Sequence, residues 1–251
     1  MNAGRRLEDR SQEATARVAG PAELPVTLAF GAIDYASVLA TPTSLEAWAL
    51  GFSYGEGLID RRDQVEKIEI DHLRHGLLVR LTVGGRIEQR AQEQRRVGSS
   101  TSSCGRCGSA SEASMMLGLH RLAPSVAPDV AVLEAALEWL EQERRPGLHV
   151  ALGLGAGGER LGVGVDIGRH NALDKLIGQA MLDQRPMPSL VMLSSRCSLE
   201  LVQKVVRAGI PALATLSVPS DLAVETARLC GLQLIHCHRG ERLVLLSGEL
   251  G

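Results

Sequence analysis

Val165-Asp166-Ile167-Gly168-Arg169-His170-Asn171-Ala172-Leu173-Asp174-Lys175 stands where a strand pattern gives way to a helical one. Upstream, Leu148–Leu154 and Leu161–Val165 read as a strand pair around the turn Gly155-Ala156-Gly157-Gly158. Downstream, Asn171–Leu182 reads as a helix, with Gly168 allowing a tight turn and Asn171 as the N-cap. The alternation then continues. Leu190–Leu193 is a short apolar strand, Leu199–Ala208 a helix closed by Gly209, and Ala212–Leu216 a strand. Ser220–Cys230 is a helix closed by Gly231, and Leu232–Ile235 a strand. Strand, helix, glycine cap, strand is the signature of an α/β fold. Ahead of it, Val130–Glu143 has the period of an amphipathic helix. Gly153-x-Gly155-x-x-Gly158 matches a dinucleotide fingerprint in letters alone, because Glu159–Gly162 does not open a helix; it reads as a hairpin turn.

The first half is richer in strands. Glu23–Ala32 alternates at Leu24, Val26 and Leu28 and reads as strand material. Thr41-Pro42-Thr43-Ser44 carries helix-start chemistry before Leu45–Leu50, and Gly51–Gly57 reads as the end of that helix. Val65–Ile70 and Leu77–Val83 read as two strands before a turn at Gly84-Gly85. A polar stretch, Gly85–Arg96, leads into the Ser/Gly segment Val97–Ser103 and then Cys104-Gly105-Arg106-Cys107-Gly108. The resulting division expects residues 1–20 to be disordered and 21–97 to form a smaller β-rich domain. Residues 98–111 are expected to form a flexible loop with the cysteine pair, and 112–251 an α/β domain.

Composition narrows the function. With 251 residues, 45% hydrophobic and 22% charged, the chain has material for a sizeable core. A formal charge of −2 argues against a generally basic nucleic-acid binder, and 2% aromatics leave little for a base-stacking platform. No apolar run approaches the length of a membrane span, and Met1–Arg10 has no apolar signal core. The expectation is a soluble cytoplasmic protein with reduced thiols, since five cysteines would leave one over in any closed disulfide framework. Lysine is scarce, at Lys67, Lys175 and Lys204 only, and no function is read from that.

Cys104-x-x-Cys107 is the most informative local feature. From Arg86 to Cys107 there are five Arg against two Glu, and this local positive charge favours thiolate over thiol. Three chemistries fit. The pair carries sulfane sulfur as a persulfide, or exchanges electrons as a dithiol, or supplies half of a zinc site. Zinc needs two more ligands; His72-x-x-His75 has usable spacing but lies about 30 residues upstream. No histidine is followed two residues on by glutamate, as a deaminase zinc site requires.

Three strand-exit stretches carry anion-binding chemistry. Asp166–Lys175 brings Arg169, His170 and Asn171 to a helix start. Ser194-Ser195-Arg196-Cys197-Ser198-Leu199-Glu200 follows a strand and precedes a helix, and Cys237-His238-Arg239-Gly240-Glu241-Arg242 follows the last strand read. In an open α/β sheet such exits are where ligands collect, and their residue types suit a phosphorylated, nucleotide-like ligand. The bland reading is a set of capped helices with surface ion pairs.

These stretches resemble the formate dehydrogenase accessory sulfurtransferases. The resemblance rests on Ser102–Gly108, Asp166–Gly178, Ser195–Glu200, Ala208-Gly209-Ile210-Pro211, Thr41-Pro42, Gly51-Phe52 and Glu56-Gly57-Leu58-Ile59, in order along residues 23–247. It implies sulfur transfer from a cysteine desulfurase to the bis-molybdopterin guanine dinucleotide molybdenum cofactor of the formate dehydrogenase catalytic subunit. It makes Cys104 the persulfide carrier and Cys107 its companion, and maps cofactor binding onto Cys237, His238, Arg239, Gly240, Glu241 and Arg242. Arg169, His170, Asn171 and Arg196 join that site by residue type and place. It further implies a cytidine-deaminase-like C-terminal domain and a homodimer. Departures from the family pattern fall at Arg145-Pro146-Gly147, Val165, Cys237 and near Leu246. The alternatives are a cofactor-binding chaperone that does not use the thiols, and a zinc-stabilised α/β protein.

Overall fold

Val26, Leu28 and Phe30 drive β1 (Leu24–Phe30) onto the inner face of a four-stranded sheet. The structure is a computed structural model, and it describes residues 20–98 (side chains through 95), 118–238 and 243–249. The first sheet also contains β2 (Ile33–Ala40), β3 (Val65–Leu73) and β4 (Gly76–Val83), in the order β2-β1-β4-β3. The strand expected over Glu23–Ala32 is β1, and Ile33–Ala40, which the sequence pattern leaves unassigned, adds β2. Gly31, at φ 55, turns the chain back after Phe30, and β2 pairs antiparallel with β1. β2 escaped the sequence pattern because it is an edge strand whose Asp34, Ser37 and Leu39 face solvent.

α1 (Leu45–Gly55) also differs from expectation: it continues through Gly51 instead of ending there. Gly51 is a contact residue, not a stop. A Cβ at Gly51 would overlap the Asp174 carbonyl oxygen, and one at Gly178 would overlap the Ala47 carbonyl oxygen. The missing side chains let two helix backbones meet. α2 (Gly85–Gly98) is helical through the polar stretch, with Ile87 and Ala91 buried one turn apart. The flexible segment expected from Val97 thus begins as helix, and the rest of that stretch, with the cysteine pair, lies outside the described residues. So do residues 1–19.

The second half forms a six-stranded sheet from β5 (His149–Leu154), β6 (Arg160–Asp166), β7 (Leu190–Arg196), β8 (Ala212–Ser217), β9 (Gln233–Cys237) and β10 (Leu243–Ser247), in the order β10-β9-β8-β7-β5-β6. β7, β8 and β9 are parallel; the outer pairs are antiparallel. The glycine stretch after Leu154 is the β5–β6 hairpin that the sequence suggests. Between strands run α3 (Val130–Glu143), α4 (Arg169–Leu182), α5 (Leu199–Arg207) and α6 (Asp221–Cys230). α6 has the expected closure by Gly231 at φ 70, and at its start Ser220 Oγ accepts from the Ala223 N–H.

The chain is thus a mixed α/β protein. α3 covers one sheet face with Leu133, Ala136 and Leu140, over Val150, Leu152, Met192, Ala214 and Cys237. α4, α5 and α6 cover the other face. That second core is continuous with the first sheet and α1, running from Val26 to Leu234. α4 lies at its centre, pressed between α1 and β6; a Cβ at Gly164 of β6 would overlap the Ala172 carbonyl oxygen.

Candidate functional site

Strand direction gathers the three polar stretches along one sheet edge. Parallel β7, β8 and β9 all end there, at Arg196, Ser217 and Cys237. Antiparallel β5 begins there, and β6 ends there with Asp166 opposite His149. The Val150 N–H donates to Ser194 Oγ at 2.8 Å, joining the start of β5 to the end of β7. Strand ends of this kind are where open α/β sheets collect ligands.

The start of α4 is built around a buried carboxylate. Asp166 is fully buried and pairs with Lys175 Nζ at 2.6 Å. Its oxygens also accept from the Thr41 N–H (3.1 Å), the Gly168 N–H (2.8 Å) and Asn171 Nδ2 (3.0 Å). Asn171 was expected as the N-cap, and this is corrected. Gly168, extended at φ −94 and ψ 124, holds that position, and α4 starts two residues earlier than expected. The Asn171 amide instead reaches across the core, donating to the Leu39 carbonyl (3.0 Å) and accepting from Trp48 Nε1 (3.2 Å). Local cap preference gave way to a buried network that satisfies both ends of the amide.

Arg169 and His170 occupy the first turn and are half-buried. Arg169 Nε is buried with no hydrogen-bond partner among the described residues. His170 Nε2 lies 3.0 Å from Glu200 Oε2 and 3.4 Å from Ser198 Oγ, tying the starts of α4 and α5 together. The His170 hydrogen bond holds Glu200 below the ordinary carboxylate value, against the opposing effect of burial. His149 is lowered, first by burial and then by the charge of Arg169, with Asp166 opposing, so it stays a neutral imidazole more readily. Arg196 is exposed at the end of β7.

At the β9 end, His238 is exposed and its ring centroid lies 4.4 Å from that of buried His236. His236 is lowered by burial and by the His238 charge. Cys237 is 0% exposed and belongs to the core cluster that α3 covers. Its side chain lies in the core, not in an open pocket, because successive residues of a strand point to opposite faces. Burial pushes its thiol up to about 11, and that of buried Cys197 up to about 12. Cys104, Cys107, Arg239, Gly240, Glu241 and Arg242 lie outside the described residues. Among the described residues no group of three or more His, Cys, Asp or Glu side chains is placed to hold a metal ion, and no described helix is long and apolar enough to cross a membrane.

Sequence reading missed two contributions. Thr41, Thr43, Leu39 and Trp48, all from the first half, bond directly to the 165–175 stretch. On the other side of α4, fully buried Asp174 pairs with Lys204 Nζ at 2.8 Å, with Glu56 3.6 Å from the same ammonium and the Phe52 ring centroid at 4.8 Å. The available signal was the scarcity of lysine: two of three lysines in the chain are buried and ion-paired.

Comparison with known proteins agrees with this architecture. A model of the FdhD/NarQ family matches residues 21–250. A protein of Burkholderia mallei described as sulfur carrier protein FdhD is 40% identical over 249 residues, covering 92% of this chain and 88% of its own. A protein of Chromobacterium violaceum with the same description is 39% identical over 240 residues, with the same coverage of 92% and 88%. The crystal structure of a formate dehydrogenase accessory protein from Desulfotalea psychrophila superposes with a TM-score of 0.66 at 22% identity, covering 90% of this chain and 87% of that one. That last likeness is one of fold.

Proposed function

The chain belongs to the FdhD/NarQ family, and from that premise we propose that it is a sulfurtransferase carrying persulfide sulfur on Cys104, from a cysteine desulfurase to the bis-molybdopterin guanine dinucleotide of formate dehydrogenase. Relatives described as sulfur carriers support the sulfur-handling half of this reading. The observation that carries the acceptor half is Arg169: its Nε is buried and unpaired among the described residues, at the N-terminus of α4, on the edge where the polar strand exits converge. A guanidinium and a helix N-terminus together suit the phosphates of a dinucleotide. Arg196, His170 and His238 stand at the same strand ends, and Cys237, Arg239, Gly240, Glu241 and Arg242 belong to the proposed site by their sequence position alone.

The carrier role falls to Cys104 because the alternatives are chemically poor. Cys197, Cys230 and Cys237 are buried, with thiols raised by burial, and a neutral thiol is a weak nucleophile. The Cys104 thiolate attacks the outer sulfur of the desulfurase persulfide. A new S–S bond forms at Cys104, the old one breaks, and the electron pair leaves on the desulfurase cysteine. Attack of the Cys107 thiolate on the inner sulfur then releases the outer one as sulfide and leaves a Cys104–Cys107 disulfide, which a thiol reductant reopens. The sulfide goes to the molybdenum centre of the acceptor, which is substrate here. The proposal includes a homodimer and direct contact with the formate dehydrogenase catalytic subunit.

Mass spectrometry after incubation with a desulfurase and cysteine tests the relay. A one-sulfur adduct on Cys104 is expected, and Cys104→Ala is expected to abolish rescue of formate dehydrogenase activity in a deletion strain. Full rescue by Cys104→Ala would replace the relay with the cofactor-binding chaperone. Stoichiometric zinc lost with either cysteine would replace it with the zinc-stabilised protein.

A further inference from the structure

We propose that Thr41, in the loop after β2, is a positioning residue for the sheet-edge site, latching the first turn of α4 so that Arg169 and His170 face an anionic ligand. All three polar groups of Thr41 engage the 165–175 stretch. Its N–H donates to Asp166 Oδ2 at 3.1 Å, its Oγ1 accepts from the Ile167 N–H at 3.2 Å, and its carbonyl accepts from Lys175 Nζ at 2.9 Å. Leu39 and Trp48 hold Asn171 from the same side, at 3.0 and 3.2 Å. Arg169 and His170 therefore sit between two clamped residues, Ile167 and Asn171.

The clamps come from more than 120 residues away in sequence, from the loop after β2 and its neighbours in the first half of the chain. The Ile167 N–H is the telling bond. It precedes Gly168, whose extended conformation sets the direction of the helix. Glycine has no side chain to hold that conformation, so restraint must come from its neighbours. Asp166 fixes the Gly168 N–H from one side, and Thr41 fixes both Asp166 and Ile167. A site of this kind binds well when its groups are held in place before the ligand arrives. The first sheet thereby shapes a ligand edge that lies wholly in the second.

This inference rests on the reading of the edge as an anion site, and the experiment separates the two. Thr41→Val keeps the side-chain shape and the backbone bonds but removes the acceptor for Ile167; Thr41→Ser restores it. Hydrogen exchange on the full-length protein is expected to run about tenfold faster at the Ile167–Asn171 amides in Thr41→Val, the scale of one lost buried bond. It is expected to be normal in Thr41→Ser and unchanged in β7–β9 of both. GDP, a guanine nucleotide with a diphosphate, is the binding probe, and its Kd is expected to weaken about fivefold to tenfold in Thr41→Val and to recover in Thr41→Ser. Unchanged exchange in Thr41→Val overturns the latch. Faster exchange with unchanged GDP affinity overturns the positioning role. Wild-type protein that fails to bind GDP overturns the anion-site reading instead, and hydrogen exchange alone then decides the latch.

Discussion

Two buried aspartate–lysine pairs use adjacent residues of α4 and differ in one respect. Asp166 meets Lys175 at 2.6 Å, and Asp174 meets Lys204 at 2.8 Å; both carboxylates are 0% exposed. Asp166 has both oxygens engaged, with three hydrogen-bond donors besides the lysine. Asp174 Oδ1 takes Lys204, and its Oδ2 has no partner among the described residues. Burial accordingly pushes Asp174 up to about 6, against the pull of Lys204. A buried charge is tolerated when its lone pairs are filled, and drifts toward its neutral form when they are not. The filled pair lies at the start of α4 and ties it to the loop after β2. The half-filled pair lies at the α1–α4–α5 junction, where Gly51 and Gly178 bring the backbones together.

The largest expected effect breaks the filled pair. Asp166→Ala leaves Lys175 buried without its counter-ion and strands the Thr41 and Gly168 N–H groups. Denaturant titration at neutral pH is expected to show a loss of about 3–5 kcal/mol; a loss no greater than that of an ordinary surface substitution would remove the distinction between the pairs.

The half-filled pair is expected to show itself through pH. Asp174 rises from its ordinary 3.8 to about 6 in the folded protein, so the folded state binds the proton more tightly than the unfolded state. Its favourable contribution is complete below the unfolded value and is lost as pH rises through the folded one. Between about pH 4 and about pH 7 this group alone lowers stability by about 3 kcal/mol. Asp174→Asn removes the titration, so the stability difference between wild type and variant is expected to slope downward over that window. A difference independent of pH would show that Asp174 does not titrate as described.

The smallest effect belongs to the exposed contact. His170 and Glu200 are 31% and 50% exposed, so solvent screens their pairing. Glu200→Gln is expected to cost about 0.5 kcal/mol or less in thermal unfolding. A cost comparable to that of Asp166→Ala would place this contact among the buried determinants.

The legible parts of the molecule are those whose signals are local. Ser220 and Gly231 bracket α6 because a hydroxyl cap and a left-handed closing residue act within one turn. The Gly155–Gly158 hairpin and the strand-exit position of Arg169, His170 and Arg196 are local in the same sense. Asn171 shows where this stops. It has the chemistry of a cap, but its partners at Leu39 and Trp48 are 132 and 123 residues away, and nothing in its neighbourhood announces them. Gly51 reads as a helix end because glycine is a poor helix former, whereas its use is close helix contact. β2 lacks clean alternation because its register shifts opposite Leu28 and Ala29 and its core-facing Tyr35 and Val38 are only partly buried.

The sequence alone therefore determined the α/β alternation, the basic residues at strand exits and the Cys-x-x-Cys motif, since caps, periodicity and charge act over a few residues. The tertiary structure alone decided that β5 to β9 bring those exits to one edge, that Cys237 points into the core, and that Thr41 and Trp48 hold the edge from the other half. Hydrogen bonds and close helix packing between distant segments depend on where the chain returns, and strand direction and backbone approach set that return.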